Sequence, residues 1–178
     1  MNCWKNVCAV LCLASLALPV GRAAEVQIDG GDFAFVHEVA EPEGICLFPL
    51  GLRFSVESTS FTGTLVTSDG DLGIGEDSSG EASGCAFLRP VLGVAARFTG
   101  SFIWVIADDA GGNQVVTGTF RLLDFPTDSE TEFDALIFIE FDGGGSALAT
   151  GKDYPFGGSP QGGAAGVFVD YIVGSVEL

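Results

Sequence analysis

The segment 94–107, VAARFTGSFIWVIA, constrains this chain most. Val94, Ala96, Phe98, Gly100, Phe102, Trp104 and Ile106 fall on one face without a polar side chain, while Arg97, Thr99 and Ser101 share the other. Period-two alternation with one apolar face is the signature of a strand packed on a core.

Shorter runs repeat the pattern. Phe33, Phe35, His37 and Val39 share a face. Phe48, Leu50, Leu52, Phe54 and Val56 alternate with Pro49, Gly51, Arg53 and Ser55, and 60–68 continues as SFTGTLVTS. Pro49 lacks a backbone donor, which places its strand at an edge or a bulge. Val116, Phe120 and Leu122 lie opposite Thr117, Thr119 and Arg121, and 135–141 and 147–150 are short strands. Segment 167–178 is apolar on both faces apart from Asp170, so it belongs between two other strands.

Between these runs lie Gly-, Asp- and Ser-rich stretches, namely 40–44, 69–84, 108–113, 125–134, 142–146 and 152–166. No helical periodicity of useful length occurs. Short strands separated by turn-forming clusters indicate an all-β antiparallel barrel or two-sheet sandwich. The barrel is preferred because Thr-Gly-Thr-like triplets recur around Gly63, Gly100 and Gly118. Glycines inside strands mark bends or bulges where a sheet curls.

The N-terminus has the organisation of a secretory signal peptide. Lys5 precedes an apolar run over 7–18, Pro19 and Gly21 break it, and Gly21 and Ala23 suit the two cleavage-recognition positions. The run is shorter than the ~20 residues a membrane-spanning helix needs. The expected organisation is a signal peptide over 1–23 and a single all-β domain over 24–178, secreted or periplasmic, with no transmembrane helix in the mature chain. Cys3, Cys8 and Cys12 leave with the leader. Cys46 and Cys85 remain, and an exported chain with two cysteines is expected to join them. Closing a loop of 39 residues would contribute about 4 kcal/mol in the chain-entropy account.

Removing the leader also removes Lys5 and Arg22. Five basic residues then face all 24 acidic ones, a net charge of −19. Nucleic-acid binding needs basic patches, which this chain lacks, so nucleic acid is excluded as a partner. A protein, a glycan or a small apolar ligand remains open.

Candidate chemistry is sparse. In DGDLGIGED, the carboxylates of Asp69, Asp71, Glu76 and Asp77 lie on a glycine-rich stretch and could turn hard oxygens toward a calcium ion. The spacing is not that of an EF-hand, because Ile74 and Gly80 stand at its sixth and twelfth positions. Glu81, Asp108 and Asp109 could add to such a site. No other cofactor is indicated. His37, the single histidine, shares a parity with Phe33 and Phe35 and reads as a satisfied core or edge residue. The nearest approach to a nucleophile elbow, around Ser159, fails at Gln161. Glu38, Glu140 and Asp170 lie inside strand patterns, and a carboxylate facing a barrel interior could act as an acid.

The leading functional expectation is a non-catalytic binding or surface-interaction module. One alternative is a cofactor-free hydrolase or isomerase using barrel-facing carboxylates. The other is a calcium-stabilised structural or matrix protein. The aromatic residues Phe48, Phe54, Phe98, Phe102, Trp104 and Phe120 would equally fill a solid core or line a hollow one.

Overall fold

The computed structural model describes residues 24–107 and 112–178. Residues 1–23, where a signal peptide is expected, and residues 108–111, with Asp108 and Asp109, lie outside the described residues.

Ten strands follow one another: β1 Glu25–His37, β2 Gly44–Leu47, β3 Leu50–Thr67, β4 Gly70–Ile74, β5 Ser79–Val91, β6 Val94–Ala107, β7 Asn113–Pro126, β8 Phe133–Phe141, β9 Gly145–Tyr154 and β10 Ala165–Glu177. All pairings are antiparallel. Along the sheet the order is β1-β10-β9-β8-β7-β6, then β4 and β5, then β3, and β3 pairs back onto β1. β4 and β5 run in the same direction and share one position between β3 and β6, interrupted at Gly75–Ser78. The wall is therefore a closed eight-stranded barrel, with β2 outside it against the start of β3. Closure pairs the sheet edges that would otherwise stay open. β10 lies between β1 and β9, as every wall strand of a closed barrel lies between two others, although its outward Tyr171 and Val173 are exposed rather than buried.

β6 coincides with the alternating segment, and Ala96, Phe102, Trp104 and Ile106 are buried inside. Trp104 anchors an aromatic layer, its ring centroid 4.4 Å from Phe102, 5.6 Å from Phe33 and Phe61, and 5.8 Å from Phe141. Beneath it, Ile28, Leu65, Ile74 and Val176 pack one end of the barrel, where Ala24 and Leu178 exchange backbone hydrogen bonds.

Five sequence expectations about the strands are corrected. The segment Asp69–Gly84, expected as a loop, contributes β4 and the first half of β5. Its inward positions are Gly80, Ala82 and Gly84, opposite Phe102, Gly100 and Phe98. Small residues are used because large ones occupy the neighbouring strands: a Cβ on Gly80 would lie 2.9 Å from the Phe35 ring and 3.3 Å from that of Phe61. The recurring glycines act alike. Gly100 seats Phe120 and Gly118 seats Phe102, in pairings without a register shift, so these two are sockets for rings rather than bulges.

The apolar run 47–56 is inward only from Phe54 onward. Phe48 is 97% exposed, Leu50 and Leu52 are exposed too, and Pro49 (after a cis peptide bond) sits in the β2–β3 turn. This part of β3 projects beyond the barrel with β2 and β5, and among the described residues nothing covers its apolar side chains. β1 ends at His37, leaving Val39 exposed, and it begins at Glu25, eight residues before the alternation is obvious. Finally, β9 continues through Lys152 to Tyr154, into a stretch expected to be aperiodic.

Cys46 and Cys85 form the expected disulfide, with Cα atoms 6.3 Å apart. It ties β2 to β5 across β3 and braces the projecting hairpins. Among the described residues no helix is long and apolar enough to cross a membrane.

Candidate functional site

The aromatic layer does not fill the barrel. Between it and the end where the β2–β3, β5–β6, β7–β8 and β9–β10 connections gather lies a cavity of about 170 Å³. Its walls are apolar and largely aromatic, with Phe35, Phe54, Phe61, Phe98 and Phe120 prominent, and Trp104 in its floor. Three titratable side chains reach it: His37 from β1, Asp124 from β7 and Asp153 from β9.

Asp124 and Asp153 are 2% and 3% exposed. Asp124 is opposite Ala135 in the register, and Ala135 is opposite Gly151, so small residues on β8 and β9 leave room for the two carboxyls to meet across β8. They share a hydrogen bond. Apart from that contact between the two carboxyls, Oδ1 of each is buried without a hydrogen-bond partner, as is the indole N–H of Trp104 in the floor. Burial, reinforced by the neighbouring carboxyl, holds Asp124 well above the usual carboxylate range. Burial likewise pushes Asp153 up to about 7, although Asp124 and the Tyr154 backbone N–H bond to it and favour its charge. Around neutrality the pair therefore keeps at least one proton in an apolar chamber.

His37 donates from Nδ1 to the Glu38 carbonyl at 2.6 Å, and burial lowers its pKa. The ring is neutral at pH 7, and Nε2 keeps its lone pair. This agrees with its reading as a satisfied histidine, and adds that it lines the cavity. On the outer side of the wall Lys152 bonds Glu132 and Asp134, each at 2.7 Å, and Tyr154 donates to Glu132 at 3.1 Å.

The sequence-derived carboxylate candidates lie elsewhere. Glu38, Glu140 and Asp170 are all exposed and so face water rather than the barrel interior. Each sits one position out of step with the buried residues beside it. Asp124 and Asp153 were missed, yet their parity is readable. Asp124 continues the inward series Val116, Phe120, Leu122, and Asp153 continues Ala147, Ala149, Gly151. Ending the β9 pattern at Thr150 hid the second.

Asp69 lies in the β3–β4 turn, Asp71 on β4, and Glu76 and Asp77 in the break before β5; all four are exposed. Among the described residues no three His, Cys, Asp or Glu side chains gather closely enough to hold a metal ion. A broader concavity of about 1360 Å³ is lined by Glu38, Glu43, Glu57, Glu81, Glu140 and Arg121, among others. Its charged groups are solvated, so it lacks the unpaired buried atoms that mark the inner cavity.

The cavity end carries exposed apolar side chains. Phe48 and Leu92, 97% and 99% exposed, cap the β2–β3 and β5–β6 hairpins, with Leu47, Leu50, Leu88 and Val91 beside them.

Fold and site together define a closed antiparallel barrel with an aromatic-walled interior cavity and a buried acid pair. Comparison of the chain with protein-family models, curated proteins and solved structures gives no match.

Proposed function

We propose that this protein is an exported binding module that holds a small, mainly apolar ligand inside its barrel. The supporting observation is the cavity itself. A dry apolar chamber of roughly 150 Å³ takes up benzene, and this one, at about 170 Å³, is ring-sized. Its aromatic walls would bury such a ligand almost completely. The leader-like N-terminus and the Cys46–Cys85 disulfide fit an oxidising, extracytoplasmic setting. The apolar hairpin tips at the same end support the interaction part of this reading, since exposed apolar patches mark contact surfaces.

Toluene binding measured by calorimetry tests the reading. The protein should give a saturable heat, and Ala96→Leu, which extends a buried wall residue into the chamber, should abolish it while the protein stays folded. A wild-type protein that takes up no toluene would refute internal binding.

A second reading rests on the acid pair. Two carboxyls sharing a proton beside a bound substrate supply a general acid and a general base, the equipment of a cofactor-free isomerase. It predicts turnover that both Asp124→Asn and Asp153→Asn remove.

A further inference from the structure

We propose that the cavity's ligand is a lipophilic monocation, a body about the size of one aromatic ring bearing an ammonium-type charge, seated with that charge against Asp124 and Asp153. This rests on the binding reading above and narrows its ligand class.

The first ground is the pair of open acceptors. Buried polar atoms in folded proteins are almost always hydrogen-bonded, yet beyond the contact the two carboxyls make with each other, Oδ1 of both cavity-lining aspartates is buried without a donor, and the Trp104 indole N–H in the floor is buried without an acceptor. A hydrocarbon would leave both atoms unsatisfied. An anion would meet two carboxyls inside a chain of strongly negative net charge. An ammonium group has donors for both oxygens and supplies the counter-charge that a buried carboxylate requires.

The second ground is the wall. Phe35 packs edge-on against Phe61 and Phe120, 5.4 and 6.0 Å centroid to centroid, and all three rings line the cavity. Cations are attracted to aromatic faces, and more strongly when desolvated. The third ground is long-range: the acidic protein as a whole concentrates cations around itself.

Proton linkage follows. When empty, the pair keeps a proton because two adjacent buried carboxylates repel. Below about pH 7 the empty pair holds a second proton, on Asp153, and an arriving cation displaces that one, so binding there releases about one proton to solvent; at pH 8 Asp153 is already ionised and the ammonium pairs with it directly. Below about pH 7 binding should weaken about tenfold per pH unit, since the proton competes. His37 is the other titratable side chain lining the cavity, and if protonated in acid it would oppose the cation as well. The neighbouring strands β6, β8 and β10 contribute apolar wall residues, Ala96, Ile137 and Val167. Outside the wall the Lys152 charge is already engaged by Glu132 and Asp134.

The test uses protein expressed from the full chain, disulfide intact, with benzylammonium and its neutral isostere ethylbenzene as probes in titration calorimetry. Benzylammonium should bind at least tenfold more tightly than ethylbenzene at pH 8. At pH 6 it should release about one proton, read from buffers of different ionisation enthalpy. Asp153→Asn should abolish that release and lose the preference for the cation, and Asp124→Asn should weaken that preference, while ethylbenzene binding persists and shows that the variants are folded. Equal or tighter ethylbenzene binding by wild type would overturn the cation assignment and leave the apolar-cavity reading standing. Binding of neither probe would overturn both. A cation preference unchanged in the asparagine variants would place the charge elsewhere and refute the assignment to this pair.

Discussion

Because the acid pair is protonated more readily in the folded protein than in the unfolded chain, stability should fall as pH rises. This is the reverse of the common salt-bridged carboxylate. Asp153 moves from 3.8 to about 7 on folding. Below pH 3.8 both states carry the proton, and the full stabilisation relative to high pH is present. Between 3.8 and 7 the folded state holds a proton that the unfolded state has lost, so stability drops by about 1.4 kcal/mol per pH unit. Above 7 this contribution is gone. From pH 5 to pH 8 the loss is about 2–3 kcal/mol, or ~5–10 °C in Tm for a domain of this size. Asp124, raised well beyond the usual range, acts in the same direction. His37, lowered by burial, acts in the opposite one in acid, because the unfolded chain takes up its proton first. Solvated carboxylates and net charge also vary with pH, so the useful quantity is a difference between proteins. Thermal unfolding of wild type and Asp153→Asn should be followed from pH 5 to pH 8 at fixed ionic strength. Wild type should lose 5–10 °C relative to the variant, which keeps the shape of the side chain but cannot ionise. A difference constant to within about 2 °C would show that Asp153 ionises normally, and the buried acid pair would have to be abandoned.

Other perturbations probe the scaffold. Gly118→Ala places a Cβ 2.2 Å from the Glu140 carbonyl oxygen and 2.7 Å from the Phe102 ring, so the strands must shift and the cost in denaturant unfolding should be about 3 kcal/mol or more, whereas Gly44→Ala, with nothing within 4 Å, should be nearly neutral. Replacing Cys46 and Cys85 by serine should lower stability by up to about 4 kcal/mol, and hydrogen exchange should increase mainly in β2 and the adjoining ends of β3 and β5. Phe48→Ser and Leu92→Ser should leave Tm within about 2 °C, because both side chains are already in water. Calcium chloride should raise Tm no more than sodium chloride at equal ionic strength, by screening net charge; a calcium-specific rise that Asp71→Asn removes would instead establish a site over Asp69–Asp77.

Where strands alternate large apolar with polar residues, the fold was legible. β6 coincides with its sequence segment, and β10 falls on the apolar segment 167–178. Legibility failed at Ser79–Gly84 because the inward side chains there are absent or minimal. Glycine and serine look like loop in a linear pattern, but here they are the complement of phenylalanines on other strands. It failed again at Phe48, Leu50 and Leu52, whose alternation promised burial. A strand's pattern says which face is apolar, and only the surrounding structure decides whether anything covers that face.

The same division holds at the site. By itself the sequence determined the all-β architecture, the acidic character and the pairing of Cys46 with Cys85, because period-two alternation, charge and a cysteine pair are local or countable properties. The parity of Asp124 and Asp153 was also present in it. That the two meet across β8, that an aromatic floor leaves a chamber beside them, and that the apolar hairpins end near its rim were decided by tertiary structure. These depend on where residues more than twenty positions apart fall when the barrel closes, and closure is a long-range event that no local pattern encodes.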